Sequence, residues 1–262
     1  MIAKLAAALA ALVLVAPLAA DAQQAPKSRL NRILESGTLR VGTTGDFNPM
    51  SFRVPGNPEL QGMDIEVAKE LAKDMGVKVE FVPTEWKTFV TGITSDKYDI
   101  STSASYNLPR AKVTAFSEPF VEFGTVPLTL KKNLAKFTGW ESIDKADTTV
   151  AVTLGTVFAD QAKAYFKTAK IISVEAPARD YQEVLSGRAE ISITSNVEAA
   201  TLIKNYPQLA IVPVDKARSR RPGGFLVAQD DYVWLNFVNT WVRLKHAEGF
   251  FEAQTAKWLG AN

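Results

Sequence analysis

Apolar and polar positions along the chain alternate between two periods. Residues 38–43, Thr-Leu-Arg-Val-Gly-Thr, read as a strand preceded by a short helix over 30–36. From 64 to 74 apolar side chains recur at Ile65, Val67, Ala68, Leu71, Ala72 and on to Met75, the spacing of one helix face, and Gly76 supplies a C-cap. Residues 77–82 alternate with period two, as a strand does. A second helix is predicted over 88–95 and a third strand over 98–101. Strand–helix–strand–helix–strand implies a parallel sheet with helices on its faces. The second half repeats the pattern. Strands are expected at 149–152, 169–174 and 189–194. Helices are expected at 158–167, at 180–186 closed by Gly187, and at 197–205 stopped before Pro207. The pattern predicts two similar α/β lobes joined through an extended stretch over 125–130. The tail over 230–259 predicts helices with aromatic anchors at Trp234, Phe237, Trp241, Phe250, Phe251 and Trp258, which at this spacing read as core. His246, on that tail, reads as a surface residue.

The first residues form a different kind of segment. Lys4 gives a positive start, an apolar run extends over 5–20, and Ala20-Asp21-Ala22 fits a small-x-small cleavage site with Gln23 as the first mature residue. Residues 1–22 are therefore expected to be a signal peptide. No later stretch is long and apolar enough to span a membrane. The mature chain is expected to be exported and not inserted in a membrane.

Composition narrows the chemistry. The 262 residues carry 30 Lys+Arg and 28 Asp+Glu, a net charge of +2, too small to suggest nucleic acid as a partner. Cysteine is absent and there is a single histidine, which removes thiolate nucleophiles, cysteine-based metal sites and zinc sites built on several histidines. No metal and no cofactor is expected. No Walker or dinucleotide-binding glycine motif occurs.

Ligands of open α/β sheets bind outside the carboxyl ends of the strands, so the loops after Val41, Val82, Ile100, Val152 and Ile193 are expected at a cleft between the lobes. The first contains Asp46 and Phe47. Phe47 is either a stacking platform in the cleft or a plug of the lobe, and Phe52 reads as a plug. The second leads into Trp86, which lines the cleft or packs beneath it. The third, 101–110, concentrates hydroxyls at Thr102, Ser103 and Ser105, then an Asn-Leu-Pro helix start, then Arg110. Such a loop is either a capped helix with a surface arginine or an anion site with a bidentate clamp. The run Arg218-Ser219-Arg220-Arg221 reads as a solvated loop or as a second anionic contact.

The segment from Ser105 to Arg110, followed by Phe116-Ser-Glu-Pro-Phe120, resembles the signature of family 3 bacterial solute-binding proteins, the periplasmic amino-acid receptors of ABC importers. The segments 42–50, 62–68, 83–86, 98–100, 187–194 and 257–260 extend the resemblance over roughly residues 28–260. It implies an α/β, two-lobed type II periplasmic-binding-protein fold with the ligand cleft between the lobes. The lobes would be 23–128 and 129–220, with 221–262 returning to the first. It also implies a monomer in the periplasm, with an ABC importer permease as partner and a small carboxylate or amino acid as ligand.

Within the family the chain is similar to the periplasmic cyclohexadienyl dehydratase branch, through residues 43–46, 82–86, 105–110 and 194–199. Those enzymes dehydrate and decarboxylate prephenate or arogenate, which needs a general acid. The resemblance puts that glutamate in the loop opening the second lobe, where this chain has Phe158. Asp160 or Glu198 would have to serve instead. Amino-acid receptors also place an ammonium-binding aspartate after the strand over 189–194, where this chain has Ser195 and Asn196. The expected ligand is thus a carboxylate with or without an α-ammonium group. Arg110, Ser105, Thr156 and the Gly155 turn would hold its carboxylate. Phe47 and Trp86 would cover its apolar part, with Ser195 and Asn196 as polar contacts. The leading expectation is a receptor for an importer, and the alternative is a dehydratase on the same fold.

Overall fold

A computed structural model describes residues 28–54 and 56–260, and the expected signal peptide lies outside the described residues. Two βα-repeats build two sheets. In the first, Thr38–Thr43 lies between Lys78–Pro83 and Ile100–Ser101, all parallel. The connecting helix Met63–Asp74 turns Met63, Ile65, Val67, Ala68, Leu71 and Ala72 inward. A fully buried Leu or Ile contributes about 1.5–3 kcal/mol, so this one face holds the helix to the sheet. Trp86 leads into the next helix, Phe89–Thr94, through a single 3-10 turn, Trp86–Thr88, close to the helix expected over 88–95.

The second sheet departs from the parallel expectation. Its strands Lys170–Val174, Thr149–Thr153 and Ile191–Ser195 are parallel, as expected. Beside Ile191–Ser195 runs the long strand Val121–Leu130, antiparallel to it, and beside that runs Arg218–Gly224. These two strands carry the chain into the second lobe and back. The expected limits at 128/129 and 220/221 fall inside them. Backbone ladders leave little tolerance for unpaired groups, so both crossings are built into one sheet and do not hang as linkers.

The run 218–221 is accordingly a strand, not a solvated loop. Arg218 pairs with Glu141 at 2.9 Å and stacks on Trp140 at 4.7 Å. Arg220 pairs with Glu122, and Arg221 donates to the Tyr106 carbonyl at 3.1 Å. All three are committed outside the cleft, so the run supplies no second anionic contact there.

The tail forms two helices, Tyr232–Ala247 and Phe250–Leu259, parted at Gly249 with φ of 72°. A left-handed residue is where glycine costs least. Trp234, Trp241 and Phe251 are buried in the first lobe, and both indoles donate, to the Asp99 carbonyl at 3.1 Å and to Asp74 at 2.8 Å. Phe237, Phe250 and Trp258 pack at the margin of the same core. His246 is exposed and contacts the Pro119 carbonyl at 3.0 Å.

Candidate functional site

The carboxyl ends of the strands from both lobes meet around a cavity with an empty volume of about 370 Å³. It is lined by Phe47, Trp86, Ser103, Ser105, Arg110, Phe123, Thr156, Val157, Phe158, Arg179 and Glu198. Small-ligand sites are mostly apolar with a few convergent polar groups, as this lining is.

The apolar wall is aromatic. Phe47 meets Trp86 edge-on at 5.8 Å and Phe123 at 5.7 Å. Phe47 is 5% exposed and faces the cavity, so the two readings of it, platform and plug, describe one side chain. Trp86 lines the cavity and anchors its indole N–H on the Asp46 carboxylate at 3.0 Å.

Arg110 is positioned by the short helix Leu108–Ala111. The Asn107 side chain accepts from the Arg110 backbone N–H at 2.8 Å, which caps the helix and fixes the direction of the guanidinium. That guanidinium is buried, 7% exposed for the whole residue, and reaches only two carbonyls, Ser105 at 3.4 Å and Gly155 at 3.3 Å. Among the described residues it forms no ion pair. Burial pushes it down to about 10, while the charge of Asp160 acts the other way. An arginine desolvated without a carboxylate is costly, and an anionic ligand offsets that cost. Ser103, Ser105 and Thr156 surround the cavity beside it.

Thr156 caps the helix Val157–Tyr165 by accepting from the Ala159 N–H, and its own hydroxyl donates to the Thr153 carbonyl at 2.7 Å. Phe158 lines the cavity where the dehydratase resemblance puts a glutamate. Asp160 is exposed and lines an adjoining outer hollow of about 550 Å³ with Gly155, Asn107 and Arg110, not the inner cavity.

Arg179 is a cavity residue that the sequence reading did not pick out. It opens the helix Asp180–Leu185 after the strand Lys170–Val174. Its Nη2 donates to both oxygens of Glu198, at 2.9 and 3.0 Å, and its Nη1 donates to the Asp46 carbonyl and lies 3.2 Å from the Asp46 carboxylate. Asp180 stands 3.8 Å from its Nε. Burial works against the charge of Arg179, yet Glu198, Asp46 and Asp180 together hold it above the ordinary arginine value. Glu198 is equally buried. Desolvation pushes its carboxyl up to about 7 despite Arg179, and Asp180 and Asp46 add to the rise. Three carboxyl groups thus surround one guanidinium, and Glu198 is the one of them that lines the cavity.

Five expected ligand-binding residues, Asp46, Thr102, Gly155, Ser195 and Asn196, do not line the cavity. Asp46 lies behind Trp86, tied to Arg179. Thr102 is buried in the backbone ladder, its N–H on the Gly42 carbonyl at 2.9 Å. The Ser195 hydroxyl accepts from the Glu198 N–H at 3.0 Å and caps the helix Asn196–Asn205. Asn196 accepts from the Gly124 N–H at 2.8 Å and so fastens that helix to the crossing strand. Gly155, with φ of +83°, brings the two lobes so close that a Cβ there would stand 2.4 Å from the Lys87 nitrogen. Lys87 also pairs across the cleft with Glu175. The cleft is closed in this structure. Among the described residues no cluster of acidic, histidine or cysteine side chains suits a metal ion.

Comparison with known proteins agrees with this architecture. The profile of bacterial extracellular solute-binding proteins, family 3, matches residues 39–261. Cyclohexadienyl dehydratase of Pseudomonas aeruginosa is 33% identical over 250 residues, covering 95% of this chain and 92% of that protein. An L-cystine-binding protein of Escherichia coli K12 is 27% identical over 239 residues, covering 91% and 88%. Among solved structures, an ancestral amino acid-binding protein described as a precursor of cyclohexadienyl dehydratase superposes with a TM-score of 0.82 at 36% identity, over 88% of this chain and all of that one. The fold is the two-lobed, type II periplasmic-binding-protein α/β fold, and the chain belongs to the bacterial extracellular solute-binding proteins, family 3.

Proposed function

We propose that the chain is a periplasmic receptor that captures a small organic carboxylate or amino acid in the closed cleft and delivers it to an ABC importer. The observation that carries this reading is Arg110, a buried cation facing the cavity with only carbonyls as partners. A ligand carboxylate completes it, with the hydroxyls of Ser105 and Thr156 alongside and the aromatic wall over the apolar part. Glu198, the acidic residue of the lining, suits an α-ammonium when ionised. Closure over the ligand would present a surface for a permease. The same reading takes the chain to act as a monomer, with lobes 23–128, 129–220 and 221–262, after removal of residues 1–22.

Glu198 favours a second reading, a prephenate or arogenate dehydratase. A buried carboxyl that faces the cavity and titrates near neutrality can hold a proton for a departing hydroxyl. In that step the bond to the leaving carboxylate breaks as carbon dioxide departs. Its electron pair forms a ring double bond, and the hydroxyl leaves as water with the proton of Glu198. Against this, Glu198 is already clamped by Arg179 and Thr194. One experiment separates the readings. The purified protein is screened by thermal shift against amino acids, 2-oxo acids and dicarboxylates, and incubated with prephenate and arogenate. Ligand at 100 times its dissociation constant stabilises by about 2.7 kcal/mol. A shift without product supports the receptor. Product formation that disappears in Glu198→Gln supports the enzyme.

A further inference from the structure

Phe158 lines the cavity, and the reading above gives it no task. It belongs to the helix Val157–Tyr165 and packs against the core of the second lobe. Phe47 and Trp86 line the same cavity from the first lobe, and Phe123 does so from the strand Val121–Leu130 that joins the lobes. Phe47 touches both of these neighbours. Its ring plane is turned 82° from that of Trp86 and 55° from that of Phe123, at centroid distances of 5.8 and 5.7 Å. Planes at such angles make a corner and not one flat wall, and the fourth ring reaches the cavity from the opposite lobe. A small cation in that corner lies within about 6 Å of more than one ring centroid, the range over which aromatic faces attract it.

The cavity is also poor in free acceptors for N–H groups. A primary ammonium has three N–H donors to satisfy. Glu198 has about four lone-pair sites, and three are spent, two on Arg179 and one on Thr194. The Thr156 hydroxyl donates to the Thr153 carbonyl and accepts from the Ala159 N–H. Ser195 and Asn196 accept from the N–H groups of Glu198 and Gly124. A buried N–H left unpaired costs free energy, and a fully alkylated nitrogen carries the same charge with no N–H. Arg179, the other cation of the lining, is already met by Glu198, Asp46 and Asp180.

We propose that the cavity takes a betaine, a carboxylate whose nitrogen is fully alkylated, with its carboxylate on Arg110 and its quaternary ammonium among the rings of Phe47, Trp86, Phe123 and Phe158. Phe158 is then a specificity-determining residue that the second lobe brings to the ligand. The inference rests on the receptor reading and deepens it.

The test uses the full mature protein and isothermal titration at pH 7.5. N,N,N-trimethylglycine is compared with 3,3-dimethylbutanoate, which has the same shape with carbon in place of the charged nitrogen. It is also compared with glycine, N-methylglycine and N,N-dimethylglycine, which keep the charge and regain N–H groups. Trimethylglycine is expected to bind at least tenfold more tightly than 3,3-dimethylbutanoate, and affinity is expected to climb with each methyl from glycine upward. Trp86→Leu and Phe158→Leu are each expected to shrink the ratio between trimethylglycine and 3,3-dimethylbutanoate at least threefold, because both probes keep apolar contacts and only the charged one loses a ring face. Trp86→Phe is expected to keep most of the ratio.

Equal or tighter binding of 3,3-dimethylbutanoate shows that the rings hold an apolar group and overturns the proposal. Affinity that falls with methylation overturns it too, since N–H bonds then hold the nitrogen. A ratio that both leucine variants leave unchanged overturns the role of the rings. If no member of the series binds while another carboxylate does, the betaine is overturned and the receptor stands. If no carboxylate binds at all, the receptor reading fails and the betaine with it.

Discussion

Arg179 of the second lobe reaches across the cleft to Asp46 of the first, 3.2 Å from its carboxylate, while its other nitrogen holds both oxygens of Glu198. One guanidinium thus ties lobe to lobe and lines the ligand cavity. The same Asp46 carries the Trp86 indole. Closure, the aromatic wall and the charge balance are joined through these contacts.

Breaking this group from one side strands a buried charge. Arg179→Met is expected to destabilise the protein by about 3–5 kcal/mol in urea denaturation, because Glu198 and Asp180 lose their cation. The double variant Arg179→Met/Glu198→Leu is expected to recover part of that loss. A single variant as stable as wild type contradicts the assignment of Arg179 as the charge that balances them.

Gly155→Ala tests closure. A Cβ at that residue meets the Lys87 backbone at 2.4 Å, and φ of +83° adds strain that any side chain feels. The clash exists only with the lobes together. Ligand affinity is expected to fall at least tenfold by calorimetry, while the unliganded melting temperature drops by only a few degrees, as about 1 kcal/mol of local strain implies. Unimpaired binding would show that capture does not need this approach of the lobes.

Stability is expected to rise on acidification from pH 7.5 to about 5. Burial raises Asp64 from 3.8 and Glu198 from 4.5, each to about 7. Between the unfolded and folded values the native state binds more protons than the unfolded chain, so stability falls as pH rises through this window and levels off above it. Each group contributes a slope of up to about 1.4 kcal/mol per pH unit. Below the window the trend reverses, since Asp96, Asp74 and Glu66 titrate below their ordinary values and lose their stabilisation on protonation. Urea midpoints measured from pH 4 to 8 check the curve. Asp64→Asn flattens its upper part, and a curve that stays flat in wild type contradicts the two raised carboxyls.

The sequence made much of this legible, and the gaps have physical causes. The helix face from Ile65 to Ala72, the capped start at Asn107 and the aromatic tail follow from local periodicity and capping, which neighbouring residues decide. The antiparallel crossings at 121–130 and 218–224 did not, because pairing across about 90 residues leaves no local period to read. Seven expected positions, Phe47, Trp86, Ser103, Ser105, Arg110, Thr156 and Glu198, meet at the cavity. Arg179 escaped because the loop after Val174 was not counted among the cleft loops. Yet it is the second-lobe counterpart of the loop that presents Trp86, each following the outer parallel strand of its sheet. An arginine followed by an aspartate at that strand-to-helix junction was the available signal. Ser195 and Asn196 carry the right chemistry, but the backbone of the helix start and of the crossing strand uses their hydrogen bonds first.

The most direct measurement is an isothermal titration of the strongest ligand from the thermal-shift screen against wild type and Arg110→Met. Truncating one partner of a buried charged pair typically costs about 2–5 kcal/mol, roughly 30-fold to several thousand-fold in affinity. The predicted result is a loss of that size, with the unliganded variant at least as stable as wild type because no buried charge then waits for a partner. An affinity within twofold of wild type would contradict the role given to Arg110 and, with it, the carboxylate receptor.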